Sequence, residues 1–98
     1  MSLILNESFM IGKYQAHIKI RKVQPGNNRP DGFKVNFVAV DMESMKPVLI
    51  IDNHAPFGYH MHPNADMDHS NRLELEVSGP FEALEIFREK LKELVKNG

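Results

Sequence analysis

Tyr14-Gln15-Ala16-His17-Ile18-Lys19-Ile20-Arg21-Lys22 alternates apolar and polar residues without a break. Tyr14, Ala16, Ile18 and Ile20 share one parity; Gln15, His17, Lys19 and Arg21 share the other. Side chains on a strand repeat every two residues, so this stretch predicts a strand with one buried face and one polar face. The next residues, Gln24 to Gly32, are dense in Pro, Gly, Asn and Asp and predict an exposed hairpin loop. Alternation then resumes with Phe33, Val35, Phe37 and Ala39 on one face and Lys34 and Asn36 on the other. Val38 and Val40 make the end of that strand apolar on both sides, which implies deeper burial there. The two strands pair most simply as an antiparallel hairpin.

Outward from that hairpin, the short connection 41–46 leads into Val48-Leu49-Ile50-Ile51, a continuous apolar run that suits a central strand. Leu3, Leu5, Phe9 and Ile11 keep odd spacing, interrupted by Glu7, and predict a first strand. Leu73, Leu75 and Val77 alternate with charged residues and predict a late one. The C-terminal segment changes period. Phe81, Leu84, Phe87, Leu91 and Leu94 recur every three or four residues and form a helical stripe. Gly79 and Pro80 suit its start, Glu82 and Glu85 suit its positive end, and Lys92 and Lys96 suit its negative end. The expected fold class is α+β: an antiparallel sheet of four to six strands, with one long C-terminal helix packed on one face. All 98 residues read as a single domain, without repeat, linker or low-complexity tract.

Composition excludes several classes. There is no cysteine, which removes disulfides, thiol catalysis and thiolate metal sites. No apolar run approaches the roughly 20 residues that span a bilayer. The first residues lack a positive n-region and a small-residue cleavage site, so no signal peptide is expected and a cytoplasmic location is. Net charge is −1, but its distribution is uneven. Lys13, Lys19, Arg21, Lys22, Arg29 and Lys34 face only Asp31 between residues 13 and 34, whereas Asp41, Glu43, Asp52, Asp66 and Asp68 face only Lys46 between 41 and 69.

The acidic half also holds four of the five histidines: His54, His60, His62 and His69. If the chain is extended at residues 59–61, His60 and His62 project from one face. Two imidazoles so placed can share a metal ion or divide acid and base roles across a phosphate. Asp66 and His69 could complete a metal set with them, and Asp52 and Asn53 stand where the apolar strand ends. A polar loop whose histidines bond backbone carbonyls is the plain alternative. His17, Lys19 and Arg21 share a strand face able to hold phosphate by charge, although an exposed lysine-rich face also protects a sheet from aggregation. HExxH, GxGxxG and GxxxxGKS motifs are absent, so zincin-type proteolysis and nucleotide cradling have no support.

Val48-Leu49-Ile50-Ile51-Asp52-Asn53-His54, followed by Gly58, His60 and His62, resembles the hallmark stretch of the TumE-like proteins of prokaryotic toxin–antitoxin modules. The specific part of the resemblance covers about a dozen positions. The family's stretch often carries a basic residue among the histidines; here Met61 stands between His60 and His62. The resemblance implies a toxin-type component with a cognate antitoxin. The corresponding expectation is a metal-independent ribonuclease. In it His60 and His62 act as base and acid, and His17, Lys19, Arg21, Asp52, Asn53 and His54 hold substrate. The alternative expectation is a non-catalytic metal-binding or protein-interaction module, with His60, His62, Asp66 and His69 binding a transition metal such as zinc. Whether the chain is an enzyme stays open, and RNA and a second copy of the chain are the other partner readings.

Overall fold

The computed structural model describes residues 2–24, 32–53, 58–62 and 73–97. Among these residues six strands run in chain order, β1 (Ser2–Ile11), β2 (Tyr14–Lys22), β3 (Phe33–Asp41), β4 (Lys46–Asp52), β5 (His60–His62) and β6 (Leu73–Glu74), followed by a helix, α1 (Pro80–Asn97). Each strand pairs antiparallel with the next, so the sheet is a meander in the order β1-β2-β3-β4-β5-β6. The α+β expectation holds, at the upper end of the expected strand number. Among the described residues no helix is long and apolar enough to cross a membrane.

The period-2 pattern sorts the sheet into two faces. Tyr14, Ala16, Ile18 and Ile20 of β2, Val35, Phe37 and Ala39 of β3, Leu49 and Ile51 of β4 and Met61 of β5 are all buried on one side. There α1 lays Ala83, Leu84, Phe87 and Leu91 against them, and the Phe37 and Phe87 rings meet at 5.6 Å with a 50° tilt. The helix opens with the Ala83 amide donating to the Gly79 carbonyl, which makes Gly79 the N-cap as its position before Pro80 predicts. Phe81 departs from the expected stripe and is 55% exposed. It lies six residues from Phe87, about 120° round the helix, beyond the edge of the packed face.

Two bulges also shift the simple parity. Leu3 pairs with Arg21 and Leu5 with Ile20, so Ile4 is the extra residue and Leu3 falls on the other face from Leu5, largely exposed. Between Ala39↔Leu49 and Val40↔Pro47, Val48 is the extra residue, beside a proline that cannot donate to a ladder. The predicted late strand is shorter than its alternation suggests, extended only by the Leu75 amide donating to the Tyr59 carbonyl.

Turns tie one end of the sheet together. Gly12, at φ +58°, takes the first central position of the two-residue β1–β2 turn, a conformation that suits glycine. After β3, Asp41 Oδ1 accepts from the Glu43 amide at 2.8 Å, and Asp41 Oδ2 meets Lys13 Nζ at 3.4 Å. The Glu43 amide and then the remaining turn contacts hold the Asp41 carboxyl below its ordinary range, while the Asp41 hydrogen bond and charge raise Lys13.

Candidate metal centre

The face of the sheet away from α1 carries the candidate ligands. Register places Ile50 opposite His62 and Asp52 opposite His60, so the second parity of β4 and β5 points to that face. Tracing partners across all six strands gives one row: Asn6, Lys19, Asn36, Asp52, His60 and Glu74. A second row runs Ser8, His17, Val38, Ile50 and His62. The helix covers neither row, yet His60 and His62 are each only 2% exposed.

Asp52, His60 and His62 each offer one ligand atom, and these atoms lie within 4.8 Å of one another. The two imidazole rings are 5.0 Å apart and nearly perpendicular. His60 is held at both nitrogens. Nδ1 stands 2.7 Å from the Gly58 carbonyl, which can only accept, so Nδ1 carries a hydrogen. Nε2 stands 3.0 Å from Asp52 Oδ1, also an acceptor when ionised. A proton shared by nitrogen and oxygen, or a metal ion held by both, would bridge this approach. With bonds of about 2.0–2.2 Å, two ligand atoms on one metal lie roughly 3 Å apart or slightly more. A ring nitrogen donating to a backbone carbonyl while the other faces the metal is the usual way a protein fixes a ligand imidazole. Gly58, at φ +65°, provides that carbonyl from a conformation favouring glycine.

The side chain of Asp52 is 28% exposed, so the cluster opens to solvent on the carboxylate side. Asp52, His60 and His62 would supply three protein ligands to an ion held there, fewer than the four of a structural zinc site. Two imidazoles with one carboxylate also suit ferrous iron and its first-row neighbours.

Other residues singled out from the sequence take different places. Asn53 is buried and turned to the sheet: its Oδ1 accepts from the Val35 amide at 3.0 Å and its Nδ2 donates to the Phe33 carbonyl at 2.7 Å. It continues the β3–β4 ladder one step beyond the last strand pair. His17 accepts or donates at Nδ1 to Ser8 Oγ at 2.9 Å, and Val38 and Ile50 separate it from His62 in its row. Lys19 and Arg21 line a small cavity with Lys34 and Asn36 on the same face as the cluster. His54, Asp66 and His69 lie outside the described residues. Asp52, expected from sequence to hold substrate, joins the candidate ligand cluster instead. Its signal was parity, since Leu49 and Ile51 in the core put Asp52 on the other face with any His-x-His pair flanking a buried Met61. No family model, curated protein or solved structure matches the chain.

Proposed function

We propose that the chain is a metal-binding protein with an open centre, in which Asp52, His60 and His62 hold one divalent first-row transition ion and leave positions for water or a substrate. The observation that carries this reading is the approach of three ligand atoms within 4.8 Å, with the far nitrogen of His60 tied to Gly58. Held by Asp52, His60 and His62, such an ion would supply Lewis-acid chemistry at the open side of the cluster.

Titration of zinc into tag-free protein tests it. Wild type takes up one ion per chain, and the near-isosteric Asp52→Asn variant loses about tenfold or more in affinity. His62→Ala abolishes tight uptake, while His17→Ala changes nothing. Uptake that persists in both Asp52→Asn and His62→Ala, or no uptake by wild type, removes the proposal.

A metal-free ribonuclease would use the same pair. Ring separation favours it, because two imidazoles 5.0 Å apart suit opposite sides of one phosphate. Burial opposes it, since rings 2% exposed offer an RNA backbone almost no surface to touch. RNA cleavage that continues in excess chelator and disappears in His60→Ala decides for it. The toxin-type role and a cognate antitoxin have their support in the resemblance of the Val48–His62 stretch and the strands and helix around it. Growth arrest on expression, relieved by a co-expressed partner, is their test.

A further inference from the structure

Beside the proposed centre, Lys19, Arg21, Lys34 and Asn36 line a cavity of about 150 Å3. Three of these four residues are cations. Among the described residues no acid lines the cavity, and none of the three cations is in a salt bridge. Arg21 and Lys34 are direct cross-strand partners, with Lys19 opposite Asn36 in the neighbouring pair on the same face. Like charges set directly opposite one another on an antiparallel pair destabilise it. An anion seated between them reverses the sign of that interaction.

The charge of the lining favours an anion. The recess is open to solvent and roomy enough for a tetrahedral oxyanion, so charge rather than size decides what it prefers. A guanidinium fork and two ammonium groups match a doubly charged phosphate better than a single carboxylate. The amide of Asn36 adds a neutral donor on the side nearest the centre. Asn36 is the cross-strand partner of Asp52, about 4.8 Å away across the sheet.

We infer that this cavity is the anchoring subsite for a phosphate-bearing ligand whose adjoining part runs over Asn36 to the centre at Asp52. The second half of that statement rests on the metal reading; the first does not. The subsite holds the charge, and the centre receives whatever is bonded to it.

Inorganic phosphate and pyrophosphate, titrated into the full chain and followed by backbone-amide NMR shifts, provide the test. With metal-free protein, phosphate perturbs the amides of Lys19, Arg21, Lys34 and Asn36 saturably, and Lys34→Gln weakens that binding by about tenfold. Phosphate also stabilises folded proteins generally, so melting is compared between variants rather than with and without the ion. In phosphate-free buffer Lys34→Gln melts at or slightly above wild type, because a repulsion is removed. Unsaturable shifts spread over the surface, or equal affinity in Lys34→Gln, overturn the subsite. Pyrophosphate is then expected to bind more tightly once zinc is loaded, and Asp52→Asn to erase that gain. Unchanged pyrophosphate affinity in a protein that does take up zinc overturns the reach to the centre. A protein that takes up no zinc overturns it through the metal reading, with phosphate binding alone left to judge the subsite.

Discussion

The two faces of this sheet are built from the same strands and serve opposite ends. On the helix side, Ile18, Phe37, Ile51 and Met61 are apolar, buried and packed on Phe87 and Leu91. On the other, the run Lys19, Asn36, Asp52 and His60 is polar throughout, although His60 is as buried as the core residues Val35 and Leu49. Burial on the first face follows from removing apolar area from water. Burial of imidazole on the second cannot be explained that way and needs partners for its nitrogens, which Gly58 and Asp52 provide. The contrast separates what folds the chain from what is proposed for its function. It also predicts that substitutions sort by face rather than by depth.

The largest expected effect lies on the helix side. Phe87→Ala should cost about 3–5 kcal/mol in chemical denaturation, with zinc stoichiometry intact in whatever fraction remains folded. Loss of stoichiometry in the folded fraction would break the separation. Asn53→Ala probes the boundary, because Asn53 adjoins Asp52 in sequence but satisfies the β3 backbone. Leaving the Val35 amide and Phe33 carbonyl unpaired should cost about 2–4 kcal/mol. A variant with native stability and impaired binding would move Asn53 to the functional side.

Gly58→Ala sharpens the comparison from the other direction. Nothing lies within 4 Å of an added Cβ, so the change acts only through the backbone at φ +65°. Strain of about 1–2 kcal/mol turns the carbonyl away from His60, and zinc affinity should fall by about 10–100-fold. Calorimetric titration measures it, and unchanged affinity would deny the carbonyl its orienting role.

The smallest effect belongs to neither face. Asp41 has its carboxyl held below 3.8 in the folded protein, first by the Glu43 amide and in part by Lys13. Its contribution to stability is therefore complete above that unfolded value and disappears as pH falls through the folded one. Lys13, raised above 10.5, contributes below that value and stops doing so as pH climbs past its folded one. Lys13→Met should melt slightly lower than wild type near neutrality, and the gap should close in strong acid. A gap that widens in acid would contradict the pairing.

Much of the fold is legible in short-range pattern. The alternation at Tyr14–Ile20 and Phe33–Ala39 and the helical stripe at Leu84, Phe87 and Leu91 identify the core without reference to tertiary structure. The bulges at Ile4 and Val48 escape it, because an inserted residue is compensated by the partner strand and leaves no local mark beyond Pro47. Phe81 misleads because spacing admits residues at the edge of a stripe, whereas packing accepts only those the sheet can reach. For the candidate site, parity brings His60 and His62 to one face, but Asp52 joins them only through the β4–β5 register. Lys34 joins Lys19 and Arg21 by register as well.

The meander has one more consequence, for the order of assembly. Asp52 and His62 stand ten residues apart and belong to one hairpin, whereas the Phe37–Phe87 contact joins residues fifty apart. Closing a short loop costs less entropy than closing a long one. The three candidate ligands can therefore converge while the helix is still unattached, and on the proposed reading a metal ion present during refolding would act as an early cross-link across β4 and β5. Zinc should then speed formation of that hairpin, besides stabilising the finished sheet.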